Sequence, residues 1–129
     1  MRYMGFIWAG VWVQDLQAGI AFYRDVLELP LLRQGEGYAH FDAFNGAILE
    51  LMDGGTASLE PKGIDRQPIV LGLRVPDLNE AVAELKSRGV VFLGEPGEYA
   101  KTRWAHFSDP EGNRLEIKEV PPRRFTGKL

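Results

Sequence analysis

The chain has 129 residues, a formal net charge of −3, two histidines and no cysteine. That length suits one cooperative domain. The composition excludes a disulfide framework, a thiolate metal site and a thiol nucleophile, and the acidic balance gives no electrostatic footprint for DNA or RNA. No apolar run approaches the ~20 residues that span a bilayer. The opening Met-Arg-Tyr-Met-Gly lacks the pattern of a secretory leader, so a cytoplasmic location is the expectation.

Phe6–Val13 is rich in β-branched and aromatic residues and reads as a strand. One face carries Ile7, Ala9, Val11 and Val13, and the other carries Phe6, Trp8, Gly10 and Trp12. Asp15 stands where a helix N-cap belongs. Leu16, Gly19, Ile20, Tyr23, Val26 and Leu27 follow at helical spacing, closed by Pro30. Tyr38–Asp42, a turn at Phe44-Asn45-Gly46 and Ala47–Leu51 read as a hairpin. The first module thus covers about residues 5–53, and the Gly-, Pro- and charge-rich stretch 54–67 is a connector.

The order then repeats over about residues 68–120. Ile69–Val75 reads as a strand, Asp77 as an N-cap with Glu80 placed for a capping box, and Leu78, Ala81, Val82 and Leu85 as an apolar stripe ending at Gly89. Val90–Leu93 suggests a strand, and Trp104–Ser108, the turn Asp109-Pro110-Glu111-Gly112-Asn113 and Arg114–Lys118 form a second hairpin. Asp15 and Asp77 lie 62 positions apart, whereas His40 and His106, like Glu50 and Glu116, lie 66 apart. The shift asks for a four-residue insertion, which the connection around Gly94–Gly97 would supply. Residues 121–129, with Arg123, Arg124 and Lys128, read as a frayed, solvated tail.

Turn geometry places His40 opposite Glu50 and His106 opposite Glu116, one His–Glu pair per module. Each pair can be a cross-strand polar contact, a general base, a clamp on a ligand or part of a metal site. Arg74 can grip an anionic group or form a salt bridge with Glu50 or Glu116. Phosphate-loop, dinucleotide and serine-nucleophile motifs are missing from the sequence.

Val13-Gln14-Asp15-Leu16 leading into Ala21–Leu27, together with Phe107–Ile117, resembles the vicinal oxygen chelate superfamily of glyoxalase I, bleomycin-resistance proteins and extradiol dioxygenases. The resemblance runs from about Ile7 to Val120. It implies an α+β fold of two βαβββ modules whose curved mixed sheet surrounds a cleft, and it implies a homodimer, with modules paired within a chain or exchanged between chains. The family's metal ligands map to Trp8, Glu50, Val70 and Glu116, of which only the glutamates can coordinate. No metal or other cofactor is therefore expected at the usual position, although His40 and His106 with a glutamate could hold a displaced divalent ion (Fe, Mn, Ni or Zn). The leading expectation is a binder of a small organic molecule, in a partly acidic aromatic pocket suited to a cation. Its candidate residues are Trp8, Trp12, His40, Glu50, Arg74, Trp104, His106 and Glu116. The alternatives are a lyase, isomerase or dioxygenase with His40 and His106 as catalytic residues, or a dimer without a ligand in which the tryptophans form the interface. Neither nucleic acid nor membrane is an expected partner.

Overall fold

The computed structural model describes residues 1–121; the expected tail at 122–129 lies outside them. The first module runs β1 (Trp8–Val13), α1 (Leu16–Ala21), β2 (Leu31–Gly35), β3 (Tyr38–Asp42) and β4 (Ile48–Asp53). The second runs β5 (Leu71–Arg74), α2 (Leu78–Ser87), β6 (Gly97–Tyr99), β7 (Thr102–Ser108) and β8 (Arg114–Glu119). Each module builds its own four-stranded mixed sheet, in the orders β1-β4-β3-β2 and β5-β8-β7-β6. In both, the first strand lies parallel to the last and the remaining neighbours are antiparallel. This is the expected α+β architecture of two βαβββ modules.

The helices start where the sequence places them. Asp15 and Asp77 are extended residues whose carboxylates accept from the N–H of Ala18 (3.1 Å) and Glu80 (3.0 Å). In place of a returning bond from Glu80, the neighbouring N–H of Leu78 is taken by Glu119 at 2.7 Å. Gly89, with φ +86°, follows α2 in the left-handed conformation that closes a helix. The first helix does not run unbroken to Leu27 as its spacing suggests. After Ala21 it widens into a π-helical turn, Phe22–Val26, with the Leu27 N–H bonded to Phe22 C=O at 3.0 Å. Gly19 brings α1 close to β4, since a Cβ there would stand 3.1 Å from a Leu51 methyl.

The sheet faces alternate cleanly. Ala39, Phe41, Leu49 and Leu51 of the first sheet and Ala105, Phe107, Leu115 and Ile117 of the second are buried, and all join one core with Tyr23, Leu78 and Leu85. Both sheets therefore turn their apolar faces toward a shared interior. The tight turn after β7 fastens the modules together. Its Asp109 and Glu111 are only 5% and 3% exposed. Glu111 accepts the N–H groups of Gln14 and Asp15, both at 2.6 Å, across the module boundary. Asp109 accepts from the Tyr23 hydroxyl (2.9 Å) and from the N–H groups of Glu111 and Asn113.

Two expectations need correction, and one strand was not anticipated. Val90–Leu93 contributes an isolated bridge, Phe92 to Phe107, and the edge strand lies further on at Gly97–Tyr99. Leu31–Gly35, which lacks alternation and is almost wholly exposed, is nevertheless a strand, because it completes the edge of the first sheet against β3. The four extra residues of the second module lie in the β6–β7 hairpin rather than around Gly94–Gly97. Gly35 pairs directly with Tyr38, whereas Gly97 pairs with Trp104 beyond two further pairs, Glu98–Arg103 and Tyr99–Thr102.

Candidate functional site

The faces turned away from the core carry the candidate residues. On the first sheet, parity places Trp8, Gly10 and Trp12 of β1 beside Ile48, Glu50 and Met52 of β4, and these beside Asp42, His40 and Tyr38 of β3. Glu50 is the polar centre of this face. It accepts from the Trp8 indole N–H at 2.8 Å, and His40 Nε2 lies 3.2 Å from its other oxygen. Trp8 reaches Glu50 by lying over Gly10, where a Cβ would meet its ring at 2.3 Å. Tyr38 leans against the His40 ring, 5.1 Å between centroids.

The second face repeats the frame. Glu116 stands between Gly72 and His106, the row that matches Gly10, Glu50 and His40. Here the contacts differ. His106 Nε2 is hydrogen-bonded to Glu116 at 2.9 Å, and Lys118 approaches the other oxygen at 3.2 Å. Arg114 stands 3.1 Å from His106 Nδ1. A guanidinium only donates, so Nδ1 is the acceptor and the ring proton sits on Nε2, where it is donated to Glu116. Lys118 also lies over the Trp104 ring, 5.7 Å from its centroid.

The two His–Glu pairs thus form in the register expected from the turns, but one chain does not bring them together. Each belongs to a different sheet, facing away from the common core. Among the described residues no group of three His, Asp or Glu side chains could hold a metal ion. The usual ligand set of the fold does not fit this chain either. Val70 has no donor atom, and the Trp8 indole nitrogen is a pure donor already used on Glu50.

Arg74 is exposed on the second face and forms no salt bridge among the described residues, so the expected pairing with Glu50 or Glu116 does not form. Three further participants, Arg114, Lys118 and Tyr38, are absent from the expected set. They occupy alternate positions beside named candidates, so the strand parity already in hand would have found them.

A groove of about 850 Å³ runs along the β5 edge, between α2 and the Leu27–Leu29 segment, and is lined by Gly72 and Arg74 as well. Apart from Arg74, its charged rim is self-satisfied. Arg88 bonds to Glu28 (2.6 Å), to Glu84 (2.5 Å) and to the Val26 carbonyl (2.7 Å). It has the chemistry of a seam between modules, whereas the two sheet faces present unused aromatic and polar groups.

Residues 5–117 match the family model described as Glyoxalase/Bleomycin resistance protein/Dioxygenase superfamily. Uncharacterized protein YraH of Bacillus subtilis is 30% identical over 120 residues, covering 84% of this chain and 92% of that one. A probable lactoylglutathione lyase of Vibrio cholerae is 32% identical over 117 residues, covering 81% and 83%. A glyoxalase/dioxygenase crystal structure from Nostoc punctiforme superposes with a TM-score of 0.78 at 22% identity, covering 92% of both chains.

Proposed function

From the premise that this chain belongs to the glyoxalase/bleomycin resistance/dioxygenase superfamily, we propose that it is a small-molecule-binding protein acting as a homodimer. In this reading the first-sheet face of one chain closes over the second-sheet face of its partner, and the ligand sits between them, without a metal at the family's usual position. The observation that carries the proposal is the pair of outward aromatic side chains. Trp8 and Trp12 are 49% and 55% exposed on a face already furnished with His40 and Glu50. Large aromatic residues left in water beside satisfied polar groups suit a binding surface, where pockets are mostly apolar with a few placed polar groups. The edges of β1 and β5, unpaired among the described residues, would likewise be available to a second copy.

A catalytic reading has one specific observation in its favour. Among the described residues His40 forms no bond of good hydrogen-bonding geometry, although its Nε2 faces Glu50 at 3.2 Å. A ring oriented by a carboxylate and otherwise unengaged can accept a proton, as a lyase or isomerase requires. His106, held at both nitrogens, is less suited to that role.

Sedimentation equilibrium combined with tryptophan fluorescence tests the binding reading. The expected result is a dimer whose emission is quenched by small aromatic ligands, and a loss of at least about tenfold in affinity in Trp8→Ala and Trp12→Ala, which is about 1.4 kcal/mol. A monomer with no ligand response would sink the proposal. Loss of the dimer with binding retained would make the tryptophans interface residues. Near-stoichiometric metal that disappears in His40→Ala would move the assignment to a metalloenzyme.

A further inference from the structure

We propose that the outward face of the second sheet is an anion-binding surface, so that the ligand of the cleft is a planar aromatic carboxylate. This deepens the pocket reading above and rests on it. The face carries three cations, Arg74, Arg114 and Lys118, around a single carboxylate, Glu116. That carboxylate is already shared between His106 at 2.9 Å and Lys118 at 3.2 Å. Arg74 and Arg114 have no carboxylate partner among the described residues.

The fold does not require these charges. The matching positions of the first sheet are Trp12 for Arg74, Met52 for Lys118 and Ile48 for Arg114, all apolar on the same frame. Arg74 moreover stands directly across from Lys118 in the β5–β8 ladder. Like charges at paired positions destabilise a sheet, and an anion bound between them removes that repulsion.

Arg114 is also held in place. The Gln67 side chain accepts its N–H at 2.7 Å and donates to its C=O at 2.6 Å, closing off the start of β8 as a neighbouring strand would. Arg114 is half-buried and its guanidinium spends one N–H on His106 Nδ1, leaving the other donors for an incoming group. Planar guanidinium forks match carboxylates bidentately, and pre-positioned donors lose less on binding. Gly72 carries no side chain in the middle row of β5, where the engaged Glu116 carboxylate reaches within 3.1 Å of the place a Cβ would take, and Arg74 and Arg114 flank that row on either side. The ring system of such a ligand would meet Trp104 on this face and Trp8, Trp12 and Tyr38 on the face opposed to it in the dimer. The expected preference for a cation came from the two glutamates, and both have internal donors in the structure.

Calorimetric titration with 2-naphthoate, 2-naphthamide and 2-naphthylmethylammonium tests this, since the three differ chiefly in charge. The acid should bind at least about tenfold more tightly than the amide, equivalent to about 1.4 kcal/mol, and the ammonium ion most weakly. Arg74→Gln and Arg114→Gln should each erode that advantage, the acid losing more affinity than the amide. Arg74→Gln does so without touching His106, and Arg114→Lys should keep part of it. Equal affinities for the three probes, tightest binding of the ammonium ion, or an advantage that survives both glutamine substitutions would overturn the charge assignment alone. No binding by any of the three to the wild-type protein would overturn the pocket reading and this proposal with it.

Discussion

The two modules share a frame and differ in what they display on it. Phe41 and Phe107, Leu49 and Leu115, and the two His–Glu pairs occupy matching rows, and so do Gly10 and Gly72. The buried alternates hardly change, because a common core of fixed volume rejects substitutions. The outward positions flanking the shared Gly–Glu–His row do change, from Trp8, Trp12, Ile48 and Met52 on one sheet to Val70, Arg74, Arg114 and Lys118 on the other. Residues free of packing are the ones that diverged, and they set the chemistry of each face.

The turns that close the two hairpins break the symmetry most sharply. Asp109 matches Ala43 in the first module. Among the described residues the Ala43–Ala47 turn makes no comparable cross-module bonds, and it sets Phe44 and Asn45 at positive φ near the surface. The Asp109 turn is buried and organises both modules. Asp109→Ala should therefore produce the largest loss, about 3 kcal/mol in urea unfolding, because several buried donors lose their acceptor at once. A loss under about 0.5 kcal/mol would remove the turn from its role as the fastening point.

Tyr23→Phe should cost less, about 1–2 kcal/mol for one buried bond to a charged group, and it should change the alkaline limb. Burial first, and then the charge and hydrogen bond of Asp109, hold the Tyr23 phenol well above its ordinary value of 10.0. The unfolded chain therefore ionises first. The stabilisation is complete below pH 10.0 and falls as pH rises from there toward the raised folded value. Unfolding curves recorded through that window should show a decline that Tyr23→Phe weakens.

The paired glycines give a finer contrast. Gly10→Ala would push the indole of Trp8 from its place, removing the bond to Glu50 at a cost of about 1 kcal/mol and altering tryptophan emission. Gly72→Ala meets only the end of Glu116, at 3.1 Å, and should stay within about 0.5 kcal/mol of wild type. Equal effects would mean that Trp8 is not seated over Gly10. The smallest effect is a proton position. Nitrogen-detected NMR should find His106 as the Nε2–H tautomer and His40 as a mixture, and Arg114→Ala should make the two rings alike.

Much of this was legible in the sequence. The aspartate caps depend on neighbouring residues alone, and the His–Glu registers follow from turn centres a few residues away. Strand parity separated core from outward residues on both sheets because one face of each is buried. What escaped was either local irregularity or distant contact. Leu31–Gly35 has no alternation, since an exposed edge imposes none. The π-helical turn hides within an ordinary helical spacing. Asp109-Pro110-Glu111-Gly112-Asn113 reads as a turn on composition and is one, but Glu111's partners lie 96 and 97 residues earlier, beyond any local pattern. The Trp8–Glu50 bond needed the β1–β4 register, which no turn fixes.

The bonds from Gln14 and Asp15 to Glu111 also bear on the order in which the protein can be made. All strands of the first module have left the ribosome once Asp53 has emerged. The amide groups that open its helix nevertheless wait for an acceptor near the far end of the chain. The helix of the second module finds its partner, Glu119, within its own half. A nascent or truncated chain that stops before Glu111 therefore carries a first half that is complete in strands and unfinished at its helix start. At this one point the first copy of the repeated unit depends on the second, while the second does not depend on the first.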